Sequence, residues 1–375
     1  MKRRIVGLLC MGLVIFFVGA LSQAAWGANN NIKQIRNGKT VYVCKMGTLA
    51  PEGVGWAALI KEIITPGILK VTDGQVILDW YWGGTMGDDQ DLLAKMRNGQ
   101  LQGGGFSGQG MVMACPEIAL MELPFLFDNY DEVEYVYSKL RPRISQWFEK
   151  RGYHLIVLAE QDFDQVYSTK IPIRTPEDFK NSRVLIWYGP LEERTLKAMS
   201  ASPLPIRVPE VAASIRTGVC DAFISPALWA VGTQMYTVMK YINPVNIRYS
   251  PAGGIILTST WNLIPKNLQT VIDNYAISVE KDFRQKVRAS NEKCYKAMVK
   301  YGMKEVKLTP AELEIWKKRL VPIWDEFASK GYYSKAELAE VKGLLAEYRA
   351  KKKVSGLCKF IALQKGLQGK AIILV

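Results

Sequence analysis

Residues 261–302 read WNLIPKNLQTVIDNYAISVEKDFRQKVRASNEKCYKAMVKYG, and this stretch decides the fold. Pro265 suits a first helical turn, where its missing N–H costs nothing. Gly302 suits the stop, because glycine takes the left-handed conformation without a Cβ penalty. Between them, apolar side chains at 268, 271, 272, 275, 279, 283 and 287 keep to one face, as a 3.6-residue period requires. The pattern predicts a helix of about 37 residues, some 55 Å long at about 1.5 Å per residue. That exceeds the width of one small domain, so the helix is expected to brace two.

Upstream, strands and helices alternate with short loops. Strands are expected at 40–46, 75–82, 154–158 and 183–187, and helices at about 53–64, 88–96, 131–149 and 190–199. That alternation predicts an α/β fold with mostly parallel sheets. Downstream, Gly331-Tyr332-Tyr333 followed by Ser334-Lys335-Ala336-Glu337 spells a capped helix start. The last 25 residues show no definite pattern.

The N-terminus points to export. Lys2, Arg3 and Arg4 precede an apolar run from Ile5 to Leu21 and then Ala24-Ala25-Trp26-Gly27-Ala28. This is the layout of a signal peptide over residues 1–27, and a periplasmic location follows from it. The apolar run sits at the low edge of the length needed to span a bilayer. Roughly 350 residues remain, enough for two medium domains.

The net charge of +14 suggests nucleic acid, but its distribution does not. Three of the positive charges lie in the leader. Seven more (Arg349, Lys351, Lys352, Lys353, Lys359, Lys365 and Lys370) follow the last acid, Glu347, leaving +4 for residues 28–347. A body that close to balance needs no polyanion partner. Residues 346–375 are expected to form a solvated basic tail. Of six cysteines, Cys10 lies in the leader, and Cys44, Cys115, Cys220, Cys294 and Cys358 are odd in number and scattered. No disulfide framework or zinc spacing is present.

Catalytic signals are missing. The one histidine, His154, sits in the strand-like Tyr153-His154-Leu155-Ile156-Val157-Leu158 and is read as structural. No metalloprotease, nucleophile-elbow or EF-hand motif occurs. Gly103-Gly104-Gly105-Phe106-Ser107-Gly108 formally matches G-x-G-x-x-G, but no clear βαβ unit surrounds it. Those glycines are instead expected to let the backbone approach a ligand or another loop. The pair Asp88-Asp89 opens a helix, where capping is the first reading and ligand contact the second. No enzyme activity and no cofactor are expected.

The order of landmarks carries a resemblance. Met86-Gly87-Asp88-Asp89 precedes a helix, followed by Pro116-Glu117 and Glu122-Leu123-Pro124-Phe125-Leu126-Phe127. Then come Thr175-Pro176-Glu177-Asp178-Phe179-Lys180, Glu210-Val211, Thr217-Gly218-Val219-Cys220-Asp221 and Trp261-Asn262-Leu263-Ile264-Pro265. From about residue 40 to 330 this resembles the DctP-type solute receptors of tripartite ATP-independent periplasmic (TRAP) transporters. The resemblance implies a two-lobed periplasmic binding protein fold with a ligand cleft between the lobes and a long helix spanning both. It implies lobe I at 38–160 plus 251–291 and lobe II at 161–250 plus 292–345. The partners it implies are a small-molecule solute and the membrane permease subunits. Closure is a population shift driven by contacts made only in the closed state. A monomer is expected in preference to a dimer. A sensor or scaffold module is the alternative class.

In this family an arginine usually grips the ligand carboxylate in a two-pronged pair. The aligned position here holds Leu185, with Arg183 two residues earlier, and Asp164 stands where a second family arginine often sits. The remaining candidate ligand-binding positions are Glu52, Trp82, Asp88, Ser107, Trp187, Tyr188, Val208 and Ser225. Two ligand classes stay open. One is a neutral, cationic or largely apolar solute. The other is an ordinary organic acid held by Arg183 or Arg207.

Overall fold

The computed structural model describes residues 32–186, 189–207 and 210–370, with 355–370 as backbone only. The expected leader, its cleavage site and Cys10 lie outside the described residues. Ten strands are described: β1 Lys33–Arg36, β2 Lys39–Thr48, β3 Val76–Tyr81, β4 Gly103–Phe106, β5 Tyr153–Ser168, β6 Arg183–Ile186, β7 Ser202–Pro205, β8 Ala222–Ser225, β9 Tyr241–Leu257 and β10 Lys304–Glu305. They join in the order β1-β2-β4-β9-β5-β8-β6-β7, with β3 on β2 and β10 on β9. The sheet is mixed, which corrects the mostly parallel expectation. Pairs β2/β3, β2/β4, β6/β7 and β6/β8 are parallel, while β4/β9, β5/β9 and β5/β8 are antiparallel.

The antiparallel strands β5 and β9 run through both halves of the sheet. One end of β9 pairs Gly253–Leu257 with β5 at 153–158, and the other pairs Tyr241–Asn243 with β5 at 166–168. The sequence pattern predicts only 154–158 of β5 and gives no strand signal for β9. Its Pro244, Pro251, Gly253 and Gly254 mask a strand, since proline cannot donate and glycine weakens the ladder. A register shift falls between Glu160 and Asp162, midway along β5. Asp162 has φ 114°, a conformation that side chains rarely adopt. Asn291 braces this crossing point: its amide donates to Gln161 O at 3.0 Å and its oxygen accepts from Leu228 N at 2.8 Å.

The long helix spans Lys266–Lys300, as its apolar stripe predicts. Leu268, Ile272, Ala276, Phe283 and Val287 join one apolar cluster with β2, β3 and the first part of β5. Met298 joins a second cluster with Tyr167, Phe223 and Ile242. One helix therefore supports both halves. Val271 departs from the expected stripe and is exposed. His154 ties β5 to the same helix: its ring nitrogens meet Glu149 Oε1 at 2.6 Å and Asp273 Oδ1 at 2.8 Å. Its ring also stacks on Trp261 at 4.0 Å.

The triple glycine is itself strand β4, pinned between β2 and β9. It approaches neighbouring strands rather than a loop. A Cβ on Gly104 would stand 2.6 Å from the carbonyl oxygen of Gly47 and 2.8 Å from the Phe106 ring. Backbone cannot yield there, so Gly104→Ala is expected to cost about 1–3 kcal/mol as an overpacking change. Urea unfolding at fixed pH measures this, and an unchanged midpoint would refute the packing argument.

The expected basic tail begins inside a helix that runs Lys335–Lys370, and residues 351–354 on it are exposed. Arg349 pairs with Glu132 and Asp128, and Lys352 with Asp131, docking the helix on the start of helix Tyr130–Lys150. Among the described residues no helix is long and apolar enough to cross a membrane.

Candidate functional site

A cleft of about 290 Å³ opens beside the β5/β9 crossing point. One wall comes from residues 49–56, 83–90 and 107–113, and the other from 224–233. Gln161, Asp164, Arg248 and Ser250 form its floor, and the long helix adds Val287. Much of the lining is apolar, including Val54, Trp56, Met113, Ile224, Leu228 and Trp229.

The first wall is organised by two helix starts. Asp88 caps helix Asp89–Arg97 in a reciprocal box: its Oδ1 accepts from Asp91 N at 3.1 Å, and Asp91 Oδ2 accepts from Asp88 N at 3.2 Å. Asp88 thus caps and lines the cleft at once. Ser107 caps helix Gly108–Ala114 and donates its hydroxyl to Asp89 Oδ2. Asp89 Oδ1 is buried with no hydrogen-bond partner among the described residues. Burial pushes the Asp89 carboxyl up to about 7, with the Ser107 hydroxyl offsetting part of the rise. The Gln109 side chain also lines the cleft, and neither end of its buried amide has a partner among the described residues.

The floor carries a charge cluster. Arg248 on β9 lies directly across from Asp164 on β5. Its Nε donates to Asp164 Oδ2, and Nη2 reaches Glu192 Oε1 at 3.3 Å. Burial would lower the Arg248 pKa, but Asp164, Glu192 and Glu122 outweigh it and raise the value. Burial raises the Asp164 pKa, with Arg248 opposing. Glu122 is pushed up to about 7 by burial, with Arg248 opposing and the neighbouring carboxylates adding to the rise. Arg207 reaches over from the segment after β7, donating to Asp88 Oδ2 at 3.1 Å and to Asp91.

Four residues chosen from sequence meet in this cleft: Asp88, Ser107, Asp164 and Ser225. Four others do not line it. Glu52 is exposed and pairs with Lys61 at 2.6 Å. Trp82 stacks on Trp80, 5.2 Å between ring centres. Leu185 is 0% exposed in the cluster with Tyr167, Ile206, Val211 and Phe223. Arg183 is committed to Asp221 at 3.2 Å and to Gly218 O at the outer end of β6. Trp187, Tyr188 and Val208 lie outside the described residues. Asp164 is not the isolated negative charge expected, because its cross-strand neighbour is an arginine. Sequence reasoning missed Arg248 because β9 itself was not visible.

The family model for bacterial extracellular solute-binding protein family 7, DctP, matches residues 67–330. The chain belongs to this family. A TRAP periplasmic solute-binding protein from Haemophilus influenzae RdAW, solved with bound L-gulonate, is 22% identical with a TM-score of 0.75. That match covers 80% of this chain and 99% of the other. The 2,3-diketo-L-gulonate-binding periplasmic protein YiaO of Escherichia coli K12 is 21% identical over 236 residues, 63% of this chain and 72% of YiaO. The ectoine-binding periplasmic protein TeaA of Halomonas elongata is 25% identical over 166 residues, 42% of this chain and 47% of TeaA. This DctP protein therefore has the two-lobed fold with its cleft between lobes. DctP proteins of TRAP systems bind a small solute and work with membrane permease subunits.

Proposed function

We propose that this DctP protein is a periplasmic receptor for a small solute that is neutral, cationic or largely apolar, which it delivers to a membrane permease. One observation carries this reading: among the described residues, the cleft-lining Arg248 and the neighbouring Arg207 are already committed to carboxylates. Arg248 holds Asp164 and Glu192, and Arg207 holds Asp88 and Asp91. A ligand carboxylate would have to displace one of these acids. Two like charges at about 4 Å in an effective dielectric of about 20 repel by about 4 kcal/mol. Arg183, the substitute considered from sequence, is tied to Asp221 away from the cleft.

The lobes in this reading divide at the β5 register shift, giving 38–160 plus 251–291 and 161–250 plus 292–345. The long helix then acts as an intramolecular brace of a monomer. The second reading, an organic-acid receptor, draws support from Arg207, whose side chain is half exposed at the cleft rim. A thermal-shift panel separates the two. A ligand at 100 times its Kd adds about 2.7 kcal/mol of stability. Neutral or cationic solutes are expected to raise the melting temperature, and a response confined to mono- and dicarboxylates would favour the second reading.

A further inference from the structure

Six carboxyl groups gather at or behind the cleft: Asp88, Asp89 and Asp91 from one wall, and Asp164, Glu122 and Glu192 around the floor. Two guanidinium groups, Arg207 and Arg248, face them. Above pH 7, where Asp89 and Glu122 are ionised, the site is therefore short of positive charge. Five of the six acids interact with one of those arginines. Asp89 has no such pair; the Ser107 hydroxyl donates to its Oδ2, and the backbone N–H groups of Ser107 and Gly110 add to the support of its charged form.

Asp89 is 7% exposed, and its carboxyl lies against the first turn of helix Gly108–Ala114. A Cβ on Gly110 would stand 2.5 Å from Asp89 Oδ2, so only glycine lets the carboxyl sit there. Gln109 belongs to that same turn. Its amide nitrogen approaches the start of helix Pro190–Ala198, 3.4 Å from where a Cβ on Gly189 would stand. Buried polar atoms without partners cost free energy that a bound group can recover. Here those atoms are Asp89 Oδ1 and both ends of the Gln109 amide; Asp164 Oδ1 and Glu122 Oε1 are likewise without partners among the described residues but have the Arg248 charge beside them, and the cleft is also lined by Trp56 and Trp229. Indole faces attract cations.

We infer that Asp89 Oδ1 and the Gln109 amide form the subsite for a cationic nitrogen of the solute, an ammonium or amidinium group. The cation supplies the charge the cleft lacks and donates to the free carboxylate oxygen and the amide oxygen. This rests on the receptor reading and narrows it to one chemical class.

Benzamidine, benzamide and benzoate share one shape and differ in charge, so they test the subsite on purified full-chain protein by calorimetry at pH 8. Benzamidine is expected to bind about tenfold tighter than benzamide, the usual margin of a charge-assisted over a neutral hydrogen bond, with benzoate weakest. Asp89→Asn keeps the shape and should erase the preference, while Gln109→Leu should weaken benzamidine and benzamide together. The melting temperature of each variant reports that it folds. A pH series adds an independent readout. The ionisable groups around Asp89 are Asp88 beside it, Asp91 on its own helix, Arg207, which pairs with both of those, and Glu122, which packs against Gly108 in the same turn and is itself raised to about 7, so the pH response should vanish in Asp89→Asn. With the Asp89 carboxyl raised to about 7, benzamidine affinity should rise about tenfold from pH 6 to pH 8, while benzamide stays flat.

Benzamide binding as tightly as benzamidine would overturn the cation subsite and leave the neutral-solute reading standing. Benzoate binding tightest would overturn both. No benzamidine binding at millimolar concentration, or an Asp89→Asn variant that keeps the tenfold preference, would overturn the assignment to Asp89.

Discussion

Replacing Arg288 by methionine is expected to lower the free energy of unfolding by about 3–5 kcal/mol, the usual cost of stripping one partner from a buried ion pair. Glu160 is 0% exposed at the β5 crossing point. Arg288 donates to its Oε1 at 2.5 Å and to its Oε2 at 2.7 Å, and the Tyr249 hydroxyl donates at 2.7 Å. Arg288 also pairs with Glu134 at 2.7 Å and stacks over the Tyr130 ring at 4.4 Å. Methionine fills the volume but leaves a buried carboxylate with one hydroxyl donor. Burial already raises the Glu160 pKa, with Arg288 opposing, so losing the arginine raises it further. A carboxyl whose folded pKa exceeds its unfolded value stabilises most below the unfolded pKa, and that contribution is lost as pH rises. The defect should therefore narrow towards acid pH. Glu160→Gln in the same chain should recover much of the loss, and a double-mutant cycle by urea unfolding measures the coupling. A single variant as stable as the parent at pH 8 would show the pair to be dispensable.

What could be read from sequence and what could not divide along physical lines. The helix Lys266–Lys300 was legible because a single period governs one local element. The helix starts at Asp88 and Ser334 were legible because caps are short-range chemistry. Strand β9 was not, because its prolines and glycines break every local strand rule and its stability comes from pairing with β4 and β5 far away in the chain. The second half of β5 was hidden for a related reason. Glu160, Asp162 and Asp164 look like a solvent-facing run, yet all are buried. Their partners Arg288, Tyr130 and Arg248 come from three other elements.

The candidate site follows the same division. Asp88 and Ser107 belong to helix starts and could be chosen locally, and Ser225 ends a short buried strand. Leu185 was chosen by position relative to a motif, and the structure buries it in apolar packing. The charge that the aligned position lacks enters the cleft from another strand as Arg248. Alternating acids on β5 were the one available signal. A buried strand with acids at every second residue requires cations opposite, and that requirement points to a basic residue on its neighbour.

Arg248→Met is the second large effect, expected at about 3–5 kcal/mol for the same reason. The arginine is buried and interacts with Asp164, Glu192 and Glu122. Without it these carboxyls face one another in the cleft floor. Asp164 and Glu122 are already raised, burial being the largest cause and Arg248 opposing it in both. Removal of the opposing charge moves both further up. The sign is then fixed: carboxyls with folded pKa values above their unfolded ones bind extra protons in the native state, so stability falls as pH rises through the folded values. Glu122 stands at about 7 in the parent, so the variant's steepest loss should lie above pH 7 and its smallest defect near pH 5. Urea midpoints at both ends of that range measure it. Equal destabilisation at pH 5 and pH 8 would mean that lost packing, not uncompensated charge, is the cause. Arg248→Lys separates charge from geometry, since an ammonium keeps the charge but cannot fork between Asp164 and Glu192. If the lysine variant recovers the pH profile but not the full stability, the floor of the cleft is held by the guanidinium fork, and the arginine is structural scaffolding under the ligand rather than a free hand waiting for a carboxylate.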